Sequence, residues 1–228
     1  MQYSIQGETL TAIADAIRAK DGTSEAISTA DMAERIEAIQ AGGGSDAEAV
    51  LAGLIDGTGT ELVVPSGATK IKQNLCLSQT ALTKVTIPAT VTLIDAYAFK
   101  QCYNLSEIVL PDSLVTIGAH AFYSDSKMLL TKLPESLATI DSSAFSSCSK
   151  IAISRIPTNV KTIGATAFSQ CTGITTLTFA GTPTTINNTA FNYCSRLATI
   201  NVPWAEGAVS GAPWGATNAT INYNYTGG

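Results

Sequence analysis

Leu82-Thr83-Lys84-Val85-Thr86-Ile87-Pro88 and Leu105-Ser106-Glu107-Ile108-Val109-Leu110-Pro111 are two copies of one pattern, 23 residues apart. In each, two apolar residues bracket one outward position, the period-two signature of a half-buried strand. The proline that follows brings no backbone donor and ends the strand. The same proline recurs at Pro65, Pro134 and Pro157, then at Pro203, with Ala180 at the intermediate place. One residue before it stand Val64, Ile87, Leu110, Leu133, Ile156, Phe179 and Val202; six after it stand Ile71, Ile94, Ile117, Ile140, Ile163 and Ile186. An Ala-Phe pair recurs from Ala98-Phe99 to Ala190-Phe191. A unit this short cannot bury its own apolar face, so copies must stack at one ladder spacing, about 4.8 Å. The spacing predicts a solenoid of six or seven coils over residues 58–203. One strand per coil should end near Ile87, Leu110, Leu133, Ile156 and Phe179, all in one parallel sheet.

The string C-x-x-L-x-x-I-x-I-P-x-x-V-x-x-I-x-x-x-A-F resembles the BspA-type leucine-rich repeats of bacterial surface proteins and phage-encoded proteins. The resemblance implies a curved leucine-rich-repeat solenoid with a binding role and no catalysis, and it names no ligand. The departures are local: Leu75-Cys76 stands where Ala-Phe belongs, Asp125 replaces a cysteine, and Gly181-Thr182-Pro183 displaces a proline.

Cys102, Cys148, Cys171 and Cys194 occupy one place, within Ala-Phe-x-x-Cys, and Cys76 falls at a phenylalanine place. Their spacing is that of the fold, with no C-x-x-C pair to hold zinc. The main reading is buried free thiols acting as small hydrophobes. Disulfides between adjacent coils, such as Cys148 with Cys171, are the alternative.

Of the 228 residues, 45% are hydrophobic and 14% charged, too apolar a balance for a disordered chain. The net charge of -5 excludes a protein built to neutralise phosphate backbones, so no nucleic-acid partner is expected. The charge is divided: residues 1–60 hold ten acids against Arg18, Lys20 and Arg35, which sets a boundary near residue 57. No apolar run suits a signal peptide or a membrane span, so a cytoplasmic product, or export without a cleaved leader, is expected.

Ahead of the solenoid, residues 8–20 place Leu10, Ile13 and Ile17 on one helical face, and a second helix from Ser28 carries Met32, Ile36 and Ile39. Gly42-Gly43-Gly44 reads as a linker that closes an assembly segment over residues 1–44. A third helix over 45–57, begun by the capping box Ser45-x-x-Glu48, should cover the first coil. The first two helices either pack on the solenoid or each other, or serve self-association or docking onto a larger assembly. The segment Leu10–Thr23 with Ile27–Ile36 resembles the helical start of tail-associated proteins in phages and prophages of Gram-positive bacteria. That resemblance implies other tail proteins as partners, and the apolar stripes of the two helices are expected to hold a homo-oligomer through residues 1–41. Residues 204–228 concentrate Trp204, Trp214, Tyr223 and Tyr225, either as a cap with a final strand in Thr220–Tyr225 or as a sugar-binding end. The run from Val202 to Thr220 resembles endings of the same phage-type repeat proteins.

Catalysis has little support. The single histidine, His120, occupies a variable repeat place, and the glycine clusters lack a phosphate-loop lysine. Asp95 and Asp141 share a phase two coils apart with Gly118 between them, and read as turn residues. No catalytic residue, metal ligand or cofactor is assigned. What remains is the outward strand face. The candidate ligand-binding residues are Lys84, Thr86, Glu107, Val109, Lys132, Arg155, Thr176, Thr178, Thr199 and Asn201. In two units the core strand place holds Thr131 and Ser154, with Leu130 and Ile153 just before. Either the strand shifts to bury these two, or they form an exposed patch.

The expected function is non-enzymatic recognition, in first place a phage or prophage tail protein attaching to a bacterial cell-surface glycan or protein and carried on the virion. The alternatives are a bacterial surface adhesin binding host protein or glycan and, of another class, a tail-borne glycan hydrolase.

Overall fold

The computed structural model describes residues 60–64 and 66–227. The three expected helices, the Gly42–Gly44 linker and the side chains Leu10, Ile13, Ile17, Met32, Ile36 and Ile39 lie outside the described residues.

Among the described residues, thirteen short strands alternate along a right-through stack of coils. The first coil gives β1 (Glu61–Val63) and β2 (Lys70–Ile71), the second β3 (Lys84–Thr86) and β4 (Leu93–Ile94), the third β5 (Glu107–Ile108) and β6 (Thr116–Ile117). The fourth contributes only β7 (Thr139–Ile140). Then follow β8 (Arg155–Ile156), β9 (Thr162–Ile163), β10 (Thr176–Phe179), β11 (Thr185–Ile186), β12 (Thr199–Asn201) and β13 (Thr220–Asn222). All pairings are parallel, and within the solenoid each residue faces the one 23 positions on, as in Leu62↔Val85 and Ile140↔Ile163. The period read from the prolines is therefore the register of the sheets.

Two findings go beyond one strand per coil. The isoleucines six residues after the proline place are buried as expected, and they also carry a second ladder, β2-β4-β6-β7-β9-β11, six strands without interruption. The first ladder, expected to be a single sheet, is divided into β1-β3-β5 and β8-β10-β12-β13, with no strand ending at Leu133. Between the ladders the chain turns, in the first five coils, through two left-handed residues per coil, for example Tyr97 and Gln101, then His120 and Ser124. Alternate amides there hydrogen-bond to the next coil, Phe99 N–H to Ala121 O at 2.8 Å and Phe122 N–H to Ala144 O at 2.8 Å. Where two coils approach closely a side chain has no room: a Cβ on Gly118 would stand 2.8 Å from the Ala96 nitrogen.

The core is a set of one-residue-wide columns. Phe99, Phe122, Phe145, Phe168 and Phe191 are fully buried and stack ring on ring, centroids 5.3–5.5 Å apart and planes within 12°. Each ring covers the next, and burial of such a side chain contributes about 1.5–3 kcal/mol. Toward the carboxyl end the core holds a separate aromatic cluster, Phe179, Trp204 and Trp214, whose rings meet at 5.3–6.2 Å. Trp214 is fully buried and its indole N–H donates to Ser210 O at 2.8 Å. β13 pairs in parallel on β12 and extends that ladder by one strand.

All five cysteines are buried free thiols. Cys102, Cys148, Cys171 and Cys194 each donate from Sγ to the carbonyl 26 residues before, at 2.8–3.0 Å. Burial pushes the Cys76 thiol up to about 12 and Cys194 to about 11, so little reactive thiolate forms near neutrality. Thiol reagent should therefore label the native protein slowly and titrate all five thiols once it is denatured without reductant; fewer than four would show a disulfide.

Asp125 interrupts this column. Its side chain is fully buried, Oδ1 accepts from the Cys102 N–H at 2.8 Å, and Oδ2 has no hydrogen-bond partner. Desolvation raises its carboxyl to about 9 from an ordinary 3.8, against the lowering effect of the Cys102 amide. A folded-state value above the unfolded one makes the group most favourable to folding below pH 4, with that contribution lost as pH rises toward 9. Asp125→Asn keeps the Oδ1 acceptor and cannot ionise. In urea unfolding, its stability relative to the parent should grow by about 1.4 kcal/mol per pH unit between pH 5 and 8.

Candidate recognition surface

On the strand face a regular coil buries the residues six, three and one before the proline place, and exposes those four and two before it. Leu105, Ile108 and Leu110 are buried, while Glu107 and Val109 are exposed. In the fourth and fifth coils the apolar residue has moved back by one. Leu130 and Ile153 are buried, and Thr131 and Ser154 face solvent. Leu130 and Ile153 therefore fill the core and form no exposed patch. Leu133 and Ile156 stay buried, so two consecutive residues, Thr131-Lys132 and Ser154-Arg155, point outward. A pleated strand alternates its faces and cannot present two neighbours on one side. The fourth coil consequently forms no strand here, and β8 keeps only the last two residues of the place.

This dislocation opens a groove of about 370 Å³ beside β5, lined by Lys84, Thr86, Glu107, Val109 and Leu129 among others. Val109 is 73% and Leu129 61% exposed, large values for branched apolar side chains. Lys84 Nζ lies 3.8 Å from a Glu107 carboxylate oxygen across the groove, and Arg155 pairs with Glu135 beyond the dislocation. Both pairs are exposed, so they position side chains more than they stabilise the fold.

Of the ten residues expected on the binding face, Lys84, Thr86, Glu107 and Val109 meet at this groove. Lys132 and Arg155 are exposed on the dislocated coils, and Thr176, Thr178 and Thr199 lie on β10 and β12. Asn201 requires correction: it is only 7% exposed, its amide donates to Thr178 Oγ at 3.1 Å, and its Oδ1 accepts from Asn222 at 2.8 Å. Pairing with β13 covers it. Asp95 and Asp141 each accept from the following backbone amide, at 2.7 and 2.6 Å, as turn residues do.

A repeat model described as a BspA type leucine rich repeat region matches six copies over residues 61–203. The chain belongs to this family. The leucine-rich repeat protein of T. pallidum, TpLRR, is similar with a TM-score of 0.57 and 28% identity, over 64% of this chain and 72% of that one. A leucine-rich repeat protein from Bacteroides ovatus gives 0.54 and 26%, over 62% of this chain; the matched region spans 39% of that longer protein. The pneumococcal vaccine antigen PcpA gives 0.54 over 74% of this chain and 42% of its own, and at 16% identity the likeness is one of fold alone. No curated protein matches.

Within this BspA-type solenoid, sequence reasoning missed Leu129, which completes the groove. Its signal was present as Leu129-Leu130, two adjacent leucines where the repeat places one. Exchanging the pairs, as Leu130→Thr with Thr131→Leu and Ile153→Ser with Ser154→Ile, should restore the regular register and join the two sheets. Amide hydrogen exchange at Ile108 and Leu110, whose N–H groups face the fourth coil, should then slow by about tenfold or more.

Proposed function

We propose that this is a non-enzymatic recognition protein of a phage or prophage tail, attaching the particle to the surface of a Gram-positive host. The observation that carries recognition is the groove at the dislocation. A repeat fold that is regular elsewhere departs from its own pattern in adjacent coils, and the departure leaves Val109 and Leu129 exposed beside a cleft. Local departures of this kind mark functional sites more often than structural ones. The family gives the solenoid platform, and the helical start and aromatic ending resemble tail-associated proteins. In this reading residues 1–41 assemble copies of the chain, or dock onto other tail proteins, through the Leu10, Ile13, Ile17 and Met32, Ile36, Ile39 stripes.

The test is binding of labelled full-length protein to cells and wall fractions of candidate Gram-positive hosts. Saturable binding is expected, reduced about tenfold or more by Val109→Asp with Leu129→Asp, since buried apolar anchors dominate such interfaces. Binding only to animal cells or matrix would favour a bacterial surface adhesin. Removal of residues 1–44 should leave a folded monomer by light scattering; a full-length monomer at micromolar concentration would direct the amino end to a different tail protein.

A further inference from the structure

A second surface lies on the turn side of the second and third coils. Two residues before the phenylalanine column, successive coils carry Asn74, Tyr97, His120, Ser143 and Thr166, all left-handed with φ of 51–61°. Serine and threonine serve the fourth and fifth coils at this place, so the fold does not require a ring here. An aromatic side chain in this conformation gains no full burial in return, as Tyr97 and His120 are only half-buried.

The rings nevertheless make one cluster. Tyr97 and His120 stack with centroids 4.9 Å apart and planes 12° apart, and Tyr123 tilts against His120 at 5.6 Å. Lys100 Nζ stands 5.2 Å from the Tyr97 centroid and 5.4 Å from that of Tyr123. Among the described residues it has no carboxylate within ion-pair distance. Desolvation and then Lys100 hold the imidazole below its ordinary value, against the opposing pull of Asp141, so the ring is neutral near neutral pH.

On the next two coils the column drops from rings to hydroxyls. Ser143 and Thr166 sit with their oxygens 2.8 Å apart. The Thr166 hydroxyl donates to Ala165 O at 2.7 Å, which leaves Ser143 as the donor to Thr166 and both oxygens with acceptor capacity. The result is an aromatic wall, a short hydroxyl floor and an ammonium that meets no carboxylate among the described residues.

We infer that the Tyr97–Lys100–His120–Tyr123 cluster is a binding site for an acidic glycan. The apolar face of a pyranose ring packs on aromatic rings, its hydroxyls donate to Ser143 and Thr166, and its carboxylate pairs with Lys100. The strand-face groove lacks aromatic rings and sits on a different side of the coil, so the two sites stand or fall separately.

The test titrates full-length protein with trigalacturonate and, as the neutral counterpart, maltotriose, by calorimetry and by saturation-transfer NMR on the sugar protons. Trigalacturonate should bind, with the sugar C–H protons receiving saturation, and maltotriose should bind at least about tenfold more weakly. Tyr97→Ser and Tyr123→Ser install the residue the fourth coil already uses at each place, and each should weaken trigalacturonate about tenfold. Lys100→Met should remove the preference for the acidic sugar. Tyr193→Ser, which changes a 74% exposed tyrosine elsewhere, should leave binding unchanged. No binding of trigalacturonate at millimolar concentration, equal binding of the neutral sugar, or an equal loss in Tyr193→Ser would each overturn the assignment.

Discussion

Every coil must present the same kind of side chain at the same height as its neighbour, because each coil is covered only by the coils on either side of it. The phenylalanine column expresses this constraint directly. From Phe99 to Phe191 no ring has any other way to leave water than to lie on the ring 23 residues away. Stability in such a stack is close to a sum of nearest-neighbour terms, so an irregular coil is tolerated when its core places are still filled. The fourth and fifth coils meet that condition, with Leu130 and Ile153 filling the core from a position one residue earlier.

Their departure has different consequences on the two ladders. On the six-stranded side the isoleucines keep phase through Ile117, Ile140 and Ile163, and backbone pairing continues unbroken. On the other side the shift breaks the pleat, splits the sheet and exposes Leu129 next to Val109. The continuous ladder holds the stack together while the interrupted one opens a groove. Asp125 lies at the same junction, three residues before the buried Met128, and places an unpaired carboxyl oxygen inside the core. The stretch from 125 to 131 is thus less regular than the coils around it, and the groove lined by Val109 and Leu129 lies beside it.

The turn side shows the converse arrangement. Its backbone is regular through the first five coils, with paired left-handed residues and forward amide bonds, and variation there is confined to side chains that project from it. Tyr97, His120 and Tyr123 in two coils and Ser143, Ser146 and Thr166 in the next two are alternatives at common places. One scaffold therefore carries an aromatic cluster and a hydroxyl shelf without a change of backbone.

The repeat period, parallel pairing and buried isoleucine, phenylalanine and cysteine columns were legible from the chain because each rests on spacing, and spacing survives without coordinates. The second ladder was not, since a two-residue strand such as Thr139–Ile140 is too short to show alternation. The choice between buried and exposed Leu130 and Ile153 depended on whether the neighbouring coils could accept a shifted side chain, which is a packing question. Burial of Asn201 required knowing that β13 would lie on β12 at a spacing of 21 residues, outside the period. The groove and the Tyr97–His120 stack belong only to the tertiary structure. Each is made by side chains one coil apart, and the sequence specifies that they are neighbours without specifying whether the space between them is filled.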